Sequence, residues 1–323
     1  MVIRYLCLVL ILFFSCAYAD QAMLDRPDVQ AYINKISKDL SIPKTKLEAV
    51  FLSIVPRPAV IHHMQHPAEA MTWKRYKSII VTQKRIDNGA QFWHEHSKIL
   101  TEIEKKYRVP ASIIVATIGM ESNYGANKGN FRVIDALADL AFNYPNRSTF
   151  FQYELTEFFL LTMVEHPVDP LSVKGSYAGA IGWPQFMPHS IRSFGVDHSG
   201  DGIIDLSNNV NDIIASVANY YTQHGWNYGH PIAISAACQN TKDPLSNSKI
   251  QHSYSTLKKA GYSAKQAWPT TEHKASIVNF SGQYWFCFSN FNVIMRYNKS
   301  PLYAMAIKEL SDAITAQYYK VYS

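Results

Sequence analysis

A chain of 323 residues with 47% hydrophobic and 17% charged side chains can build a substantial core, which excludes a disordered polypeptide. The formal charge of +6 suits an anionic partner, but Lys and Arg are spread along the chain without a block, so nucleic-acid binding is not indicated. Of the four cysteines, two lie in the first sixteen residues, and the remaining two do not make a disulfide framework.

The N-terminus, MVIRYLCLVLILFFSCAYAD, has the form of a secretory signal peptide over 1–19. Arg4 supplies the basic region, Leu6 to Phe14 the apolar one, and Ala17-Tyr18-Ala19 the small-residue cleavage site. A lipoprotein reading, with Cys16 acylated, is weaker because Phe13 is bulky for such a site. No later stretch is long and apolar enough for a bilayer span, so an exported, soluble mature protein is expected. It would retain Cys238 and Cys287, either paired or buried separately as small hydrophobes.

Residues 20–75 read as an N-terminal helical domain, with Val29, Ile33 and Ile36 at helical spacing and Pro56 and Pro58 marking a connection. Helical segments continue from Trp73 to Tyr107. The apolar run VPASIIVATIGMESNYG follows, and from Val109 to Met120 it carries no charge. Pro110 suits a helix start, and Asn123 and Gly125 suit its end. Glu121 is therefore expected near a helix C-terminus. Burial and the negative end of the helix dipole would both raise its pKa, as a general acid near neutral pH requires. A surface Glu that merely ends a core helix fits the same spacing.

FRVIDALADLAFNYP and TFFQYELTEFFLLTMVEH read as two further helices, separated by the stop Asn143-Tyr144-Pro145-Asn146. Asp135, Asp139, Glu154 and Glu157 on them suit a solvated face or structural pairing. A Gly-rich segment follows, KGSYAGAIGWPQFMPHS, whose Ser176, Tyr177 and Gln185 lie where backbone can approach a ligand. Next, DHSGDGIIDLSNNVND has Asp197, Ser199, Asp201, Gly202 at the sixth place and Asp205 at the ninth, the opening of an EF-hand loop. Its twelfth residue is Asn208 rather than Glu, so closure would come from Asp212. An Asx-rich turn without metal is the alternative.

Residues 226–290 are richer in Pro, Thr, Ser and β-branched side chains, and SIVNF and YWFCF read as short strands. The last segment, SPLYAMAIKELSDAITAQYY, returns to helix. Tyr297, Asn298 and Tyr303 in MRYNKSPLY add the aromatic and amide groups that sugar sites use. His62, His63 and His66, and the His94-Glu95-His96 string, match no metalloprotease motif and read as solvated.

GMESNYG, DALADLAFNYPNR, GSYAGAIGWPQFMPHS, SVANYYTQHGW and RYNKSPLYAMAI, in this order, resemble the successive motifs of the B-type lytic murein transglycosylases, lysozyme-like periplasmic enzymes that cut peptidoglycan strands. The resemblance runs from about Trp73 to the C-terminus. It implies a mainly α (α+β) fold, with a lysozyme-like core over 76–225 and 291–323 and a small β-containing insert over 226–290. It implies Glu121 as the single catalytic acid, then base, releasing a 1,6-anhydromuramoyl end without consuming water. Ser176 and Gln185 would position the muramoyl unit, Tyr297, Asn298 and Tyr303 would line the cleft, and Arg147 would be a substrate or structural contact. No cofactor is needed for the chemistry. The EF-hand-like loop 197–212 would hold a structural calcium through Asp197, Ser199, Asp201, the Ile203 carbonyl and Asp212. Glycan strands are the expected partner of a monomer, with cell-wall synthesis proteins as further candidates. A hydrolytic lysozyme- or chitinase-like enzyme, or a non-catalytic peptidoglycan-binding protein, would share the fold. One departure stands out: Pro184 precedes Gln185 where the family carries Gly, which removes a backbone donor.

Overall fold

The computed structural model describes residues 23–65, 71–239, 243, 245–247 and 251–322; the signal-peptide segment 1–19, Cys16 and His66 lie outside them. The chain divides into two compact units, the first ending at Ile54 and the second beginning at Val55.

Within the first unit, helices α1 (Pro27–Asp39) and α2 (Lys44–Leu52) form a hairpin. Val29, Ile33 and Ile36 fall on one stripe of α1 and are fully buried, and Tyr32 meets Phe51 edge to face.

The second unit is mainly helical. Its first helices are α3 (Pro58–Gln65), α4 (Trp73–Ile80), α5 (Gln83–Glu95), α6 (Ser97–Tyr107) and α7 (Ala111–Ser122). Then come α8 (Val133–Asn143), α9 (Ser148–Phe159, running on through a π turn at Leu160–Glu165), α10 (Pro188–Phe194) and α11 (Val210–Gln223). The last three are α12 (Tyr254–Lys259), α13 (Ser289–Tyr297) and the long α14 (Pro301–Tyr322). Helix α7 is central and packs against α5, α6, α11 and α14. A helix apolar all round must be buried all round, and Ile113 through Gly119 are. Removing that much apolar surface from water is the main driving force for the core.

The strands are few. A two-stranded ribbon pairs β1 (Phe131–Arg132) with β2 (Lys174–Gly175). The larger sheet, of β3 (Ala233–Cys238), β4 (His252–Ser253), β5 (Tyr262–Ala264), β6 (Lys274–Phe280) and β7 (Gln283–Cys287), is antiparallel in the order β4-β6-β7-β3-β5. Alternate residues Ile234, Ala236, Ala275, Ile277, Phe286 and Phe288 form its own core with Leu257 of α12. Cys238 and Cys287 form no disulfide with each other. They stand at opposite ends of β3, because Cys287 is opposite Ala233 while Cys238 is opposite Tyr262. Five strand residues put ~17 Å between them, well beyond disulfide reach.

The four acids on α8 and α9 take structural pairing, not a solvated face. Asp135 is fully buried between Arg57 (3.2 Å) and Arg132 (2.6 Å). Asp139 accepts from the Arg57 backbone N–H and Asn143, Glu154 accepts from the His189 N–H at 3.0 Å, and Glu157 pairs with Arg192 at 2.5 Å. Of the histidines read as solvated, His62 and His94 are exposed, but His96 is half-buried against Phe92, and burial lowers its pKa.

Candidate active site

Helix α7 ends abruptly just after Glu121. Asn123 and Tyr124 both take left-handed backbone (φ 51° and 58°), and Gly125 follows at φ 83°. The Ser122 hydroxyl accepts the Gly125 N–H at 2.9 Å, closing the turn. Only glycine suits position 125: a Cβ there would lie 2.2 Å from the Trp183 ring. Tyr124 then runs back between α5 and α7, donating to the Arg85 carbonyl at 3.0 Å. Its ring fills the space beside Gly89 and Gly119, where no side chain fits. GMESNYG is thus the sequence of a helix that stops and folds under itself, leaving Glu121 partly open on its last turn.

Tyrosines gather around Glu121 from four helices. Tyr303, in the first turn of α14, donates its O–H to the Glu121 Oε1 at 2.5 Å. Tyr297 at the end of α13 lies parallel to Tyr303, centroids 6.3 Å apart, and donates to the Pro184 carbonyl at 2.6 Å. Tyr220 and Tyr221 on α11 pack on Tyr297 at 4.7 and 5.9 Å, and Tyr221 shares a 2.8 Å hydrogen bond with Thr117 one turn before Glu121. Tyr76 of α4 is half-buried within electrostatic reach of Glu121.

This setting controls protonation. Desolvation raises the Glu121 pKa to about 7, against the opposing pull of the Tyr303 hydrogen bond. Burial and the neighbouring Glu121 charge hold Tyr297 and Tyr303 well above the usual phenol range, so both remain neutral donors. Among the described residues no second carboxyl group and no cation bears on the Glu121 carboxyl. Glu154 is also pushed up to about 7 by burial, but it is enclosed and holds the start of α10, so it has no opening to a ligand. A raised pKa alone does not single out Glu121; the opening does.

The Gly-rich segment packs against this turn. Gln185 has left-handed backbone (φ 51°), and its amide donates to the Gly182 and Lys128 carbonyls at 2.8 and 3.2 Å. Ser176 uses its hydroxyl to accept the Ala178 and Ala180 N–H groups. Both polar side chains therefore hold the loop's own shape. Pro184 has no N–H to give, yet its carbonyl anchors Tyr297. Asn298 is exposed at the end of α13. Arg147 lies over Phe150 and Phe151, at 4.2 and 5.1 Å from their centroids, with its charge beside Glu154; no described contact ties it to Glu121.

The loop 197–212 reaches the same place indirectly. Its Leu206 and Ser207 carbonyls accept the backbone and indole N–H of Trp183 at 2.8 and 3.0 Å, and the Trp183 ring backs Gly125. The Asp197 carboxylate accepts from Ser199, Gly200 and Gly202, while Asp201 accepts from Ile203. Asp212, fully buried, accepts the His198, Ser199 and Asp205 N–H groups. The exposed donors are all oxygens, the kind calcium takes. Among the described residues, however, no three His, Cys, Asp or Glu side chains converge on one point.

The sequence reading missed Tyr76, Tyr220 and Tyr221 as site residues. The last two lie in SVANYYTQHGW, a motif already noted, whereas WKRYKSII around Tyr76 carries no recognisable signal.

A transglycosylase SLT domain model matches residues 25–312. The chain is 37% identical over 305 residues to the membrane-bound lytic murein transglycosylase B of Escherichia coli, covering 90% of this chain and 83% of that one. Its structure is similar to the catenated lytic transglycosylase SltB1 of Pseudomonas aeruginosa (TM-score 0.86, 36% identity, 91% and 99% of the two chains). It is also similar to the E. coli lytic transglycosylase Slt35 in complex with calcium (TM-score 0.85, 35% identity, 91% and 95%). With a lysozyme-like helical core and these relatives, the chain belongs to the transglycosylase SLT family and is a lytic murein transglycosylase, an enzyme acting on peptidoglycan.

Proposed function

We propose that this enzyme cleaves the β-1,4 bond between N-acetylmuramic acid and N-acetylglucosamine with Glu121 as its single acid and base. The carrying observation is one desolvated carboxyl group with pKa about 7 on a partly open residue, no second carboxylate beside it among the described residues, and a neutral phenol donating to it.

Protonated Glu121 delivers its proton to the glycosidic oxygen as the C1–O bond breaks. The substrate's acetamido group stabilises the electron-poor C1. The glutamate, now ionised, takes the proton of the muramoyl C6 hydroxyl, whose oxygen bonds to C1, giving the 1,6-anhydro end. Acid and base are the same group, so its pKa should lie near the working pH. Tyr303 favours the ionised form between the two steps.

Tyr297, Tyr303 and Asn298 would face the sugars. Ser176 and Gln185 would act by holding the loop against the glycan, and Arg147 by supporting α9. A calcium bound through Asp197, Ser199, Asp201 and the Ile203 carbonyl would be structural, stiffening the loop that holds Trp183 behind the Glu121 turn. Asp212 would brace that loop through its amides. Export by segment 1–19 to the periplasm, with Cys16 lipidation as the less favoured alternative, completes the proposal. Among the described residues no helix is long and apolar enough to cross a membrane.

Digestion of purified sacculi by the wild type and Glu121→Gln tests the reading by mass spectrometry. Wild type should release muropeptides lighter by one water than lysozyme products, and the variant none. Free reducing ends would show hydrolysis instead. Sacculus binding with no products from wild type would show a non-catalytic protein.

A further inference from the structure

We propose that a pocket at the far end of α7 and α14 is a second, non-catalytic glycan-binding surface that holds the enzyme on the strand it cuts; this rests on peptidoglycan being the substrate.

The pocket encloses about 480 Å³ and is lined by Trp93, Glu104, Arg108, Tyr228, Tyr318 and Tyr319. Its location separates it from the catalytic cleft. Ala111, which also borders it, begins α7 ten residues before Glu121, and Tyr318 follows Tyr303 by fifteen residues on α14. At the helical rise these separations are ~15 and ~22 Å.

The aromatic rings form two platforms. Trp93 and Tyr318 stack at 4.5 Å and 17°, with Tyr319 edge-on to Trp93 at 6.4 Å. Also lining the pocket, the Arg108 guanidinium lies 3.8 Å from the Tyr228 ring centroid, and Tyr228 donates to Glu104 at 3.1 Å. Tyr319 and Tyr228 are nevertheless 58% and 38% exposed. Arg108 reaches this position from a left-handed backbone (φ 56°) ending α6, an unfavourable conformation for a non-glycine residue. The lining commits the site to a saccharide. Rings already held by packing offer flat faces to pyranose C–H groups at little entropic cost, and Arg108 offers donors for hydroxyl and acetamido oxygens, while Glu104, accepting the Ala111 N–H at 2.9 Å and the Tyr228 O–H, fixes the Tyr228 ring in place. The cation also complements the acidic peptides that muramoyl units carry.

A strand that engages the cleft and this pocket together would gain avidity, whereas a short oligosaccharide would engage the cleft alone. The test uses the full chain carrying Glu121→Gln as a non-cleaving probe. Its affinity for long uncrosslinked glycan strands and for a tetrasaccharide is measured with and without Tyr228→Ala and Tyr319→Ala. Long-strand affinity should fall about tenfold, the factor expected when one aromatic contact is lost, with tetrasaccharide affinity unchanged. Tyr319→Phe, which keeps the ring, should keep the affinity. Unchanged long-strand affinity would overturn the proposal, as would an equal loss for both ligands or capture of a protein partner without any glycan effect. Wild-type turnover of the tetrasaccharide reports on the cleft alone and so separates failure of this proposal from failure of the catalytic one.

Discussion

Glu121→Gln should stabilise the protein at alkaline pH while abolishing its activity. The wild-type carboxyl has a pKa of about 7 in the native fold because it is desolvated, against 4.5 for a free glutamate. A carboxyl whose folded pKa is raised is stabilising when neutral. That contribution is fully present below the unfolded value of 4.5 and is lost as pH rises through about 7. The difference of about 2.5 pH units corresponds to about 3 kcal/mol once both states are ionised. Glutamine has nearly the shape of the protonated acid, keeps a carbonyl to accept the Tyr303 O–H, and never ionises. Urea unfolding of both proteins should therefore give nearly equal stabilities at about pH 4 and a variant more stable by up to about 3 kcal/mol at about pH 8.5. Glu154 titrates in the same range but is present in both proteins, so it drops out of the difference. A pH-independent difference would refute the reasoning, because it would mean that Glu121 is solvated and that burial does not set its pKa.

Tyr303→Phe removes the hydrogen bond that favours ionised Glu121, so the alkaline limb of kcat/KM for sacculus digestion should move up by about one pH unit; an unmoved limb would count against the Tyr303–Glu121 contact. Calcium should raise the melting temperature of the wild type, and Asp197→Asn should remove that increment. Asp212→Asn should destabilise the protein with or without calcium, because its oxygens hold three backbone N–H groups. Arg192→Leu leaves buried Glu157 without its cation and frees Glu165, and should cost about 2–3 kcal/mol in denaturant unfolding.

Family and fold class were legible in the chain itself. The helices announce themselves through apolar residues three and four apart, as in α1, or through an unbroken apolar run, as in α7, and those are local patterns. Two of the five strands of the late sheet, β6 and β7, were readable for the same reason, since SIVNF and YWFCF are short, β-branched and aromatic; β3, β4 and β5 were not read as strands. The five ordered motifs sufficed for the family because each is local: GMESNYG encodes a helix stop, a left-handed turn and a glycine that a tryptophan covers.

What surrounds Glu121 was not local, and only the tertiary structure decided it. Tyr76, Tyr220, Tyr221, Tyr297 and Tyr303 come from α4, α11, α13 and α14, up to 227 positions apart, and meet only because those helices pack around one centre. Nor does spacing tell a hydroxyl that faces a ligand from one that braces its own loop, as Ser176 does, or show that buried Asp135 and Glu157 have cations waiting. A carboxyl group's pKa is a property of the water removed from around it. That removal is done by side chains distant in sequence, so the chain named the residue and the direction of its shift, while the surface-Glu alternative was set aside, and the surrounding phenols were placed, only by the fold.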